Sequence, residues 1–157
     1  MRSIVFFLVV SVAAILIAGC DPGIAYKPAN WKHLRNFEFT NKYDGFDLEL
    51  RGFQGFIGSK GDITEGEILN TENQIQKIYV ERAVLKANNI EYVGAPNYRN
   101  ENTIHDTQPN GRQHFSILWN FDKSLYEVLK EPVELSLVIK RGSSSQEILI
   151  PMVENKQ

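Results

Sequence analysis

The sequence predicts a mainly β domain: an antiparallel β-sandwich of about seven short strands, with one short helix near residues 124–131. Three observations carry that expectation. Apolar and polar residues alternate over Phe46–Arg51, His114–Phe121 and Val133–Lys140, the period expected of strands with one buried face. Gly, Asn and Pro punctuate those runs at short intervals, as turns between strands require. A helix start and stop are found together in a single stretch, Ser124–Pro132. The expected arrangement is immunoglobulin-like in architecture only, because the inter-sheet cysteine pair is missing; a partly open barrel is the alternative.

Taken in order, Asp21–Asn36 carries Pro22, Gly23, Pro28 and Asn30 with no sustained period. It reads as a tether, on the order of 20–25 Å long by coil statistics. Phe37 and Phe39 open the strand pattern, and Phe46, Leu48 and Leu50 alternate with Asp47, Glu49 and Arg51. Glycines at 52, 55, 58 and 61 then interrupt it, marking bulges or a sheet corner. Gln76–Ala87 is a strand whose apolar face changes parity near Tyr79-Val80, consistent with a bulge. Asn88-Asn89 suits a tight turn, since Asn tolerates positive φ, and Ile90–Val93 returns as a short partner strand. Gly94–Gly111 has one large aliphatic, Ile104, and reads as a long loop of the kind that carries function or moves.

The clearest strand follows, with Phe115, Ile117, Trp119 and Phe121 on one face and His114, Ser116, Leu118 and Asn120 on the other. Ser124-Leu125-Tyr126-Glu127 is a capping box, with Leu125 and Leu129 on one side and Pro132 ending the helix. Val133, Leu135, Leu137 and Ile139 form another strand; Gly142–Ser145 turns it into Glu147–Val153. Pro151 assigns the end of that last strand to a sheet edge, because proline donates nothing to a ladder.

The N-terminus is of another kind. Met1–Cys20 has a positive start at Arg2, an unbroken apolar or small run from Ile4 to Ala18, and small residues before a lone cysteine. These are the parts of a secretory signal peptide, and the run is too short for a bilayer span, which takes roughly 20 apolar residues. Ile17-Ala18-Gly19-Cys20 resembles the lipobox of bacterial lipoproteins. The resemblance covers this segment alone and implies that Cys20 is lipidated and becomes the first mature residue. It also implies that several acyl chains hold the protein on a membrane. Cys20 is the single cysteine of the chain, so the folded part relies on core burial rather than disulfides. Asp21 resembles the enterobacterial signal for retention at the periplasmic face of the inner membrane, with the outer membrane as the alternative.

The organisation expected is therefore a signal peptide over 1–19, a lipidated N-terminus and tether over 20–36, and one domain over 37–157. Removing 19 of the 157 residues leaves 138, a common size for one domain with its own core. Those 138 carry 16 basic and 19 acidic residues, a balance that argues against a nucleic-acid partner.

Candidate chemistry is sparse. His105, Asp106 and His114 could ligate a metal, but the spacing His-x8-His matches no metal motif, so neither metal nor cofactor is expected. Ser116, His105 and Asp106 supply triad residue types, yet G-x-S-x-G is absent and nothing places the serine on an elbow. The glycine run Gly52–Gly61 lacks the phosphate-cradle order. The loop Pro96–Gly111 has the best claim to function: Tyr98, Arg99, His105 and Asp106 among Asn residues resemble an adaptable binding surface. The sequence thus points to a non-catalytic binding or assembly module at the bacterial envelope. Its expected partners are a membrane, through lipid, and an envelope protein. A small-ligand binder or hydrolase using the His105 region, and a passive spacer, are the alternatives.

Overall fold

A computed structural model describes residues 23–29, 37–55, 60–87, 89–98, 104–121 and 133–155. Cys20, Trp31, His33, Arg99 and the expected helix near 124–131 lie outside them.

The described residues are mainly β, as expected, but the sheet closes on itself. The strands are β1 (Ile24–Pro28), β2 (Phe39–Tyr43), β3 (Phe46–Leu50), β4 (Phe53–Gly55), β5 (Lys60–Asn70) and β6 (Gln76–Ala87). They continue as β7 (Ile90–Tyr98), β8 (Asp106–Thr107), β9 (Arg112–Asn120), β10 (Val133–Arg141) and β11 (Ser144–Glu154). Strands run in the order β5-β4-β1-β11-β10-β6-β7-β9, and β9 pairs back onto β5, closing an antiparallel barrel of eight strands. The sandwich expectation fails at that last pairing: two separate sheets would leave β5 or β9 with an open edge. Outside the ring, β3 pairs with the C-terminal half of β5 and carries β2 on its far side.

Three segments differ from their sequence reading. Part of the supposed tether is β1, a ring member paired with β4 on one side and β11 on the other. Its polar look reflects Lys27 and two prolines around a short apolar pair, while Tyr26 and Pro28 are buried. Lys60–Asn70 is a full strand that two glycines and three acidic side chains conceal. The expected loop at Gly94 is instead the second half of β7, whose residues 95–98 pair with β9. Pro151 is not on an edge either. It pairs with Glu134 of β10, and its carbonyl accepts from the Ala29 amide at 2.7 Å. The missing N–H therefore points toward the β1 side and leaves the β10 ladder intact.

Other expectations hold. Phe46, Leu48 and Leu50 are buried. The parity change in β6 is a bulge, with Val80 and Arg82 opposite the consecutive residues Ile139 and Val138. Asn89 has φ 60°, the left-handed turn expected there. Phe115, Ile117, Trp119 and Phe121 all point into the core.

The core is the barrel interior. Trp119 and Phe53 meet edge to face at 5.6 Å between centroids, and the indole N–H donates to the Tyr92 carbonyl at 3.0 Å. Glycines make room for these rings: a Cβ on Gly61 would come within 2.3 Å of the Phe53 ring, and one on Gly66 within 2.3 Å of Phe115. A Cβ on Gly94 would lie 2.5 Å from the Trp119 ring.

A chain beginning at Phe37 separates the strand and tether readings of the N-terminal segment. Without β1, β4 and β11 lose their shared neighbour and the barrel opens. The truncated chain is expected to lose its cooperative urea transition, followed by far-UV circular dichroism. An unchanged midpoint would return the segment to a tether.

Candidate functional site

Strand directions sort the connections to two ends. The turns at Asp44-Gly45, Thr71–Ile75, Asp106–Gly111 and Gly142-Ser143 gather at one end, here the upper. Ile24, Gly55, Lys60, Ile90 and Asn120 lie at the other, the lower end.

At the upper end Asn70, fully buried, holds two connections together. Its side-chain N–H groups face the carbonyls of Gln74, Thr107 and Gln108 at 2.9, 3.0 and 3.2 Å. Its side-chain oxygen accepts from the Glu72 amide at 3.0 Å. Its backbone joins the same stitch, donating to the Gly111 carbonyl and accepting from the Asn110 amide. One amide side chain, with two donors and an oxygen acceptor, thus fixes the start of the β5–β6 connection against the turn before β9.

That turn frames a hollow of about 260 Å³ lined by residues 105–108 and 111–114. His105 and Asp106 are both exposed, and Asp106 stands opposite Lys77 in the short β8 pairing. His105, Asp106 and His114 therefore share one concavity. Among the described residues no group of His, Cys, Asp and Glu side chains is arranged to hold a metal ion. Tyr98 is a different matter. It is buried, and its hydroxyl donates to the Val80 carbonyl at 2.6 Å. Burial pushes its ionisation above the ordinary tyrosine range. It is a core residue and not a recognition anchor, because β7 extends through Tyr98 into the stretch expected to be loop and turns its ring inward.

Beside the hollow runs a polar row that sequence reading missed. Thr40, Glu49, Glu67 and His114 are direct cross-strand neighbours on β2, β3, β5 and β9. Glu49 and Glu67 would repel each other, since like charges directly opposite destabilise a sheet. Arg112, two residues along β9 from His114, answers that repulsion: its Nη1 contacts Oε2 of both Glu49, at 3.0 Å, and Glu67. The His114 Nδ1 lies 3.1 Å from the other Glu67 oxygen. Glu49 is only 4 % exposed, so losing Arg112 would weaken the compensation of a buried charge. Chemically this is an ion-pair lattice clamping the β2–β3 hairpin to the barrel. Ser116 lines a smaller hollow with His114 and Glu67, whereas His105 and Asp106 line the larger one. The triad residue types are thus divided between two concavities. The signal in the sequence was the pair Arg112-x-His114 facing an alternating Glu-rich strand, legible only once Lys60–Asn70 is read as β.

A third hollow, of about 160 Å³, lies on the wall between β1, β4 and β5 and includes Asp62, Gln54, Thr64 and Asn155. The Asp62 Oδ1 is buried without a hydrogen-bond partner, and that burial holds the carboxyl above its usual range.

No family model matches the chain, and no curated protein does. Among solved structures it is similar to a functionally unknown protein from Listeria monocytogenes EGD-e, with a TM-score of 0.52 and 10% identity over 72% of this chain and 80% of that one. The GAE domain of GGA2p from Saccharomyces cerevisiae aligns at a TM-score of 0.31 and 11% identity, over 74% of this chain and 94% of that one. The first likeness is one of fold alone.

Two expected outcomes test this geometry. Asn70→Ala leaves several buried polar groups unpaired and costs about 2–4 kcal/mol in urea unfolding, given about 1–3 kcal/mol for each unsatisfied group. Hydrogen exchange at Glu72, Asn110 and Gly111 should accelerate before exchange in β10 does. Asp62 has a raised folded-state pKa, so its ionised form destabilises the fold, and that penalty is relieved as pH falls through the raised value. Asp62→Asn should therefore melt higher than the parent at pH 7, with the gap closing below the ordinary carboxylate range. A constant gap across pH would remove ionisation as its cause.

Proposed function

We propose that the chain is a bacterial lipoprotein, anchored through Cys20, whose barrel is a non-catalytic binding or assembly module at the cell envelope. The periplasmic face of the inner membrane is the placement Asp21 favours. The observation that carries the binding reading is the filled interior. Trp119, Phe53, Phe115 and their neighbours occupy the barrel axis, as side chains do in small eight-stranded barrels without a ligand lumen. Recognition then falls to the outer surface, and the Asn70-braced end with His105 and Asp106 is its most structured polar part. Loops held on a rigid β scaffold are favourable places for binding, and the expected partner is an envelope protein.

A small polar ligand in the hollow of about 260 Å³ is the second reading, favoured by the convergence there of His105, Asp106 and His114.

The experiment is site-specific photocross-linking in the native bacterium from position 105, compared with position 89 at the other end. One envelope protein captured from 105, absent from 89 and lost in an Asp106→Lys background, is the expected result. Capture from neither position removes the protein-partner reading. In parallel, Cys20→Ala should leave an unacylated chain that a carbonate wash strips from membranes. Retention of that variant as the mature form would overturn the anchor.

A further inference from the structure

The placement of β1 constrains how an anchored barrel sits on its membrane. A sixteen-residue tether would let the domain turn freely. With Ile24 already in the ring, only four residue steps separate it from Cys20, at most about 14 Å of extended chain. The barrel is longer than that. The 11 residues of β5 span about 36 Å at strand rise, and a barrel tilt of 35–45° leaves roughly 26–30 Å along the axis. The barrel therefore cannot stand inverted, with its upper end on the bilayer that holds Cys20.

We propose that the lower rim of the lipidated protein rests on the bilayer, with Ile24, Lys60, Asn89, Ile90 and Asn120 facing the headgroups. This rests on the Cys20 anchor of the preceding section. Ile90 is 51 % exposed at the tip of the β6–β7 turn, an apolar side chain beside the positive-φ Asn89. Lys60, exposed at the start of β5, suits anionic lipid. The wall flanking β1 carries Glu147, exposed in mid-β11, which such lipid repels, beside the exposed apolar Leu149 and Val153; standing on the rim keeps Glu147 clear of the headgroups. The hollow with His105 and Asp106 then opens away from the membrane, and its ligand arrives from the aqueous side.

Because an acylated Cys20 has no free thiol, a second cysteine can be labelled alone. Ile90→Cys, Ser143→Cys and Leu149→Cys, made in the full chain and matured in the producing bacterium, would carry a nitroxide. The proteins would be reconstituted in vesicles of phosphatidylethanolamine and phosphatidylglycerol. Paramagnetic accessibility should show the label at 90 several-fold less open to a water-soluble nickel complex than those at 143 and 149. Protection at 149 instead of 90 means that the barrel lies on its β11 wall, and equal access at all three means that it floats free. Either result overturns the inference while leaving the anchor intact. An N-terminal peptide that mass spectrometry finds unacylated overturns both.

Discussion

A closed ring of strands encloses a fixed volume, and filling that volume is the constraint on which the rest of this structure depends. Eight strands leave an interior just wide enough for side chains, and three large rings, Phe53, Phe115 and Trp119, take up much of it. Each ring demands space on a neighbouring strand, found at Gly61, Gly66 and Gly94. The glycines weaken strand propensity where they stand, and the packing they permit offsets that cost. Changing volume on either side of a ring–glycine pair would therefore be felt across the barrel, as close-packed cores transmit strain.

Polar organisation follows from the same closure. With the axis filled, charged and amide groups are confined to the outer wall and the two ends, and they hold appended pieces in place. The lattice of Glu49, Arg112, Glu67 and His114 fastens the β2–β3 hairpin. Asn70 fastens the connections at the upper end. In these arrangements buried groups such as Asn70 and Glu49 find partners among their neighbours, and their worth lies in specifying geometry more than in raw stability.

Much of the strand content was legible because alternation is a local property. β3, β6, β9 and β10 each bury one face against the core, and period two betrays them in a handful of residues. Closure was not legible, because it depends on β5 meeting β9 and β1 meeting β11, contacts that no local pattern encodes. β5 was hidden by its own function as a shared strand. Gly61 and Gly66 are small to admit rings from neighbours, and Glu65 and Glu67 face outward to ion pairs, so little apolar signal remains. Tyr98 misled in the opposite sense: aromatic character beside Arg99 and Asn residues resembles a binding loop, while its hydroxyl serves a buried carbonyl. His105 and Asp106 were found as a candidate pair, but their neighbour Arg112 and the row behind it needed the strand register to emerge.

The pairing of β1 with β11 joins nearly the first described residues to nearly the last. A chain emerging N-terminus first cannot form that contact until its final strand arrives. Until then β1 is held on one side alone, by three residues of β4. Such distant contacts come late and slow the search for the native state, since the entropy of closing long loops precedes any reward. The barrel therefore locks only once its last strand has been added, and it stays open along β1 until then.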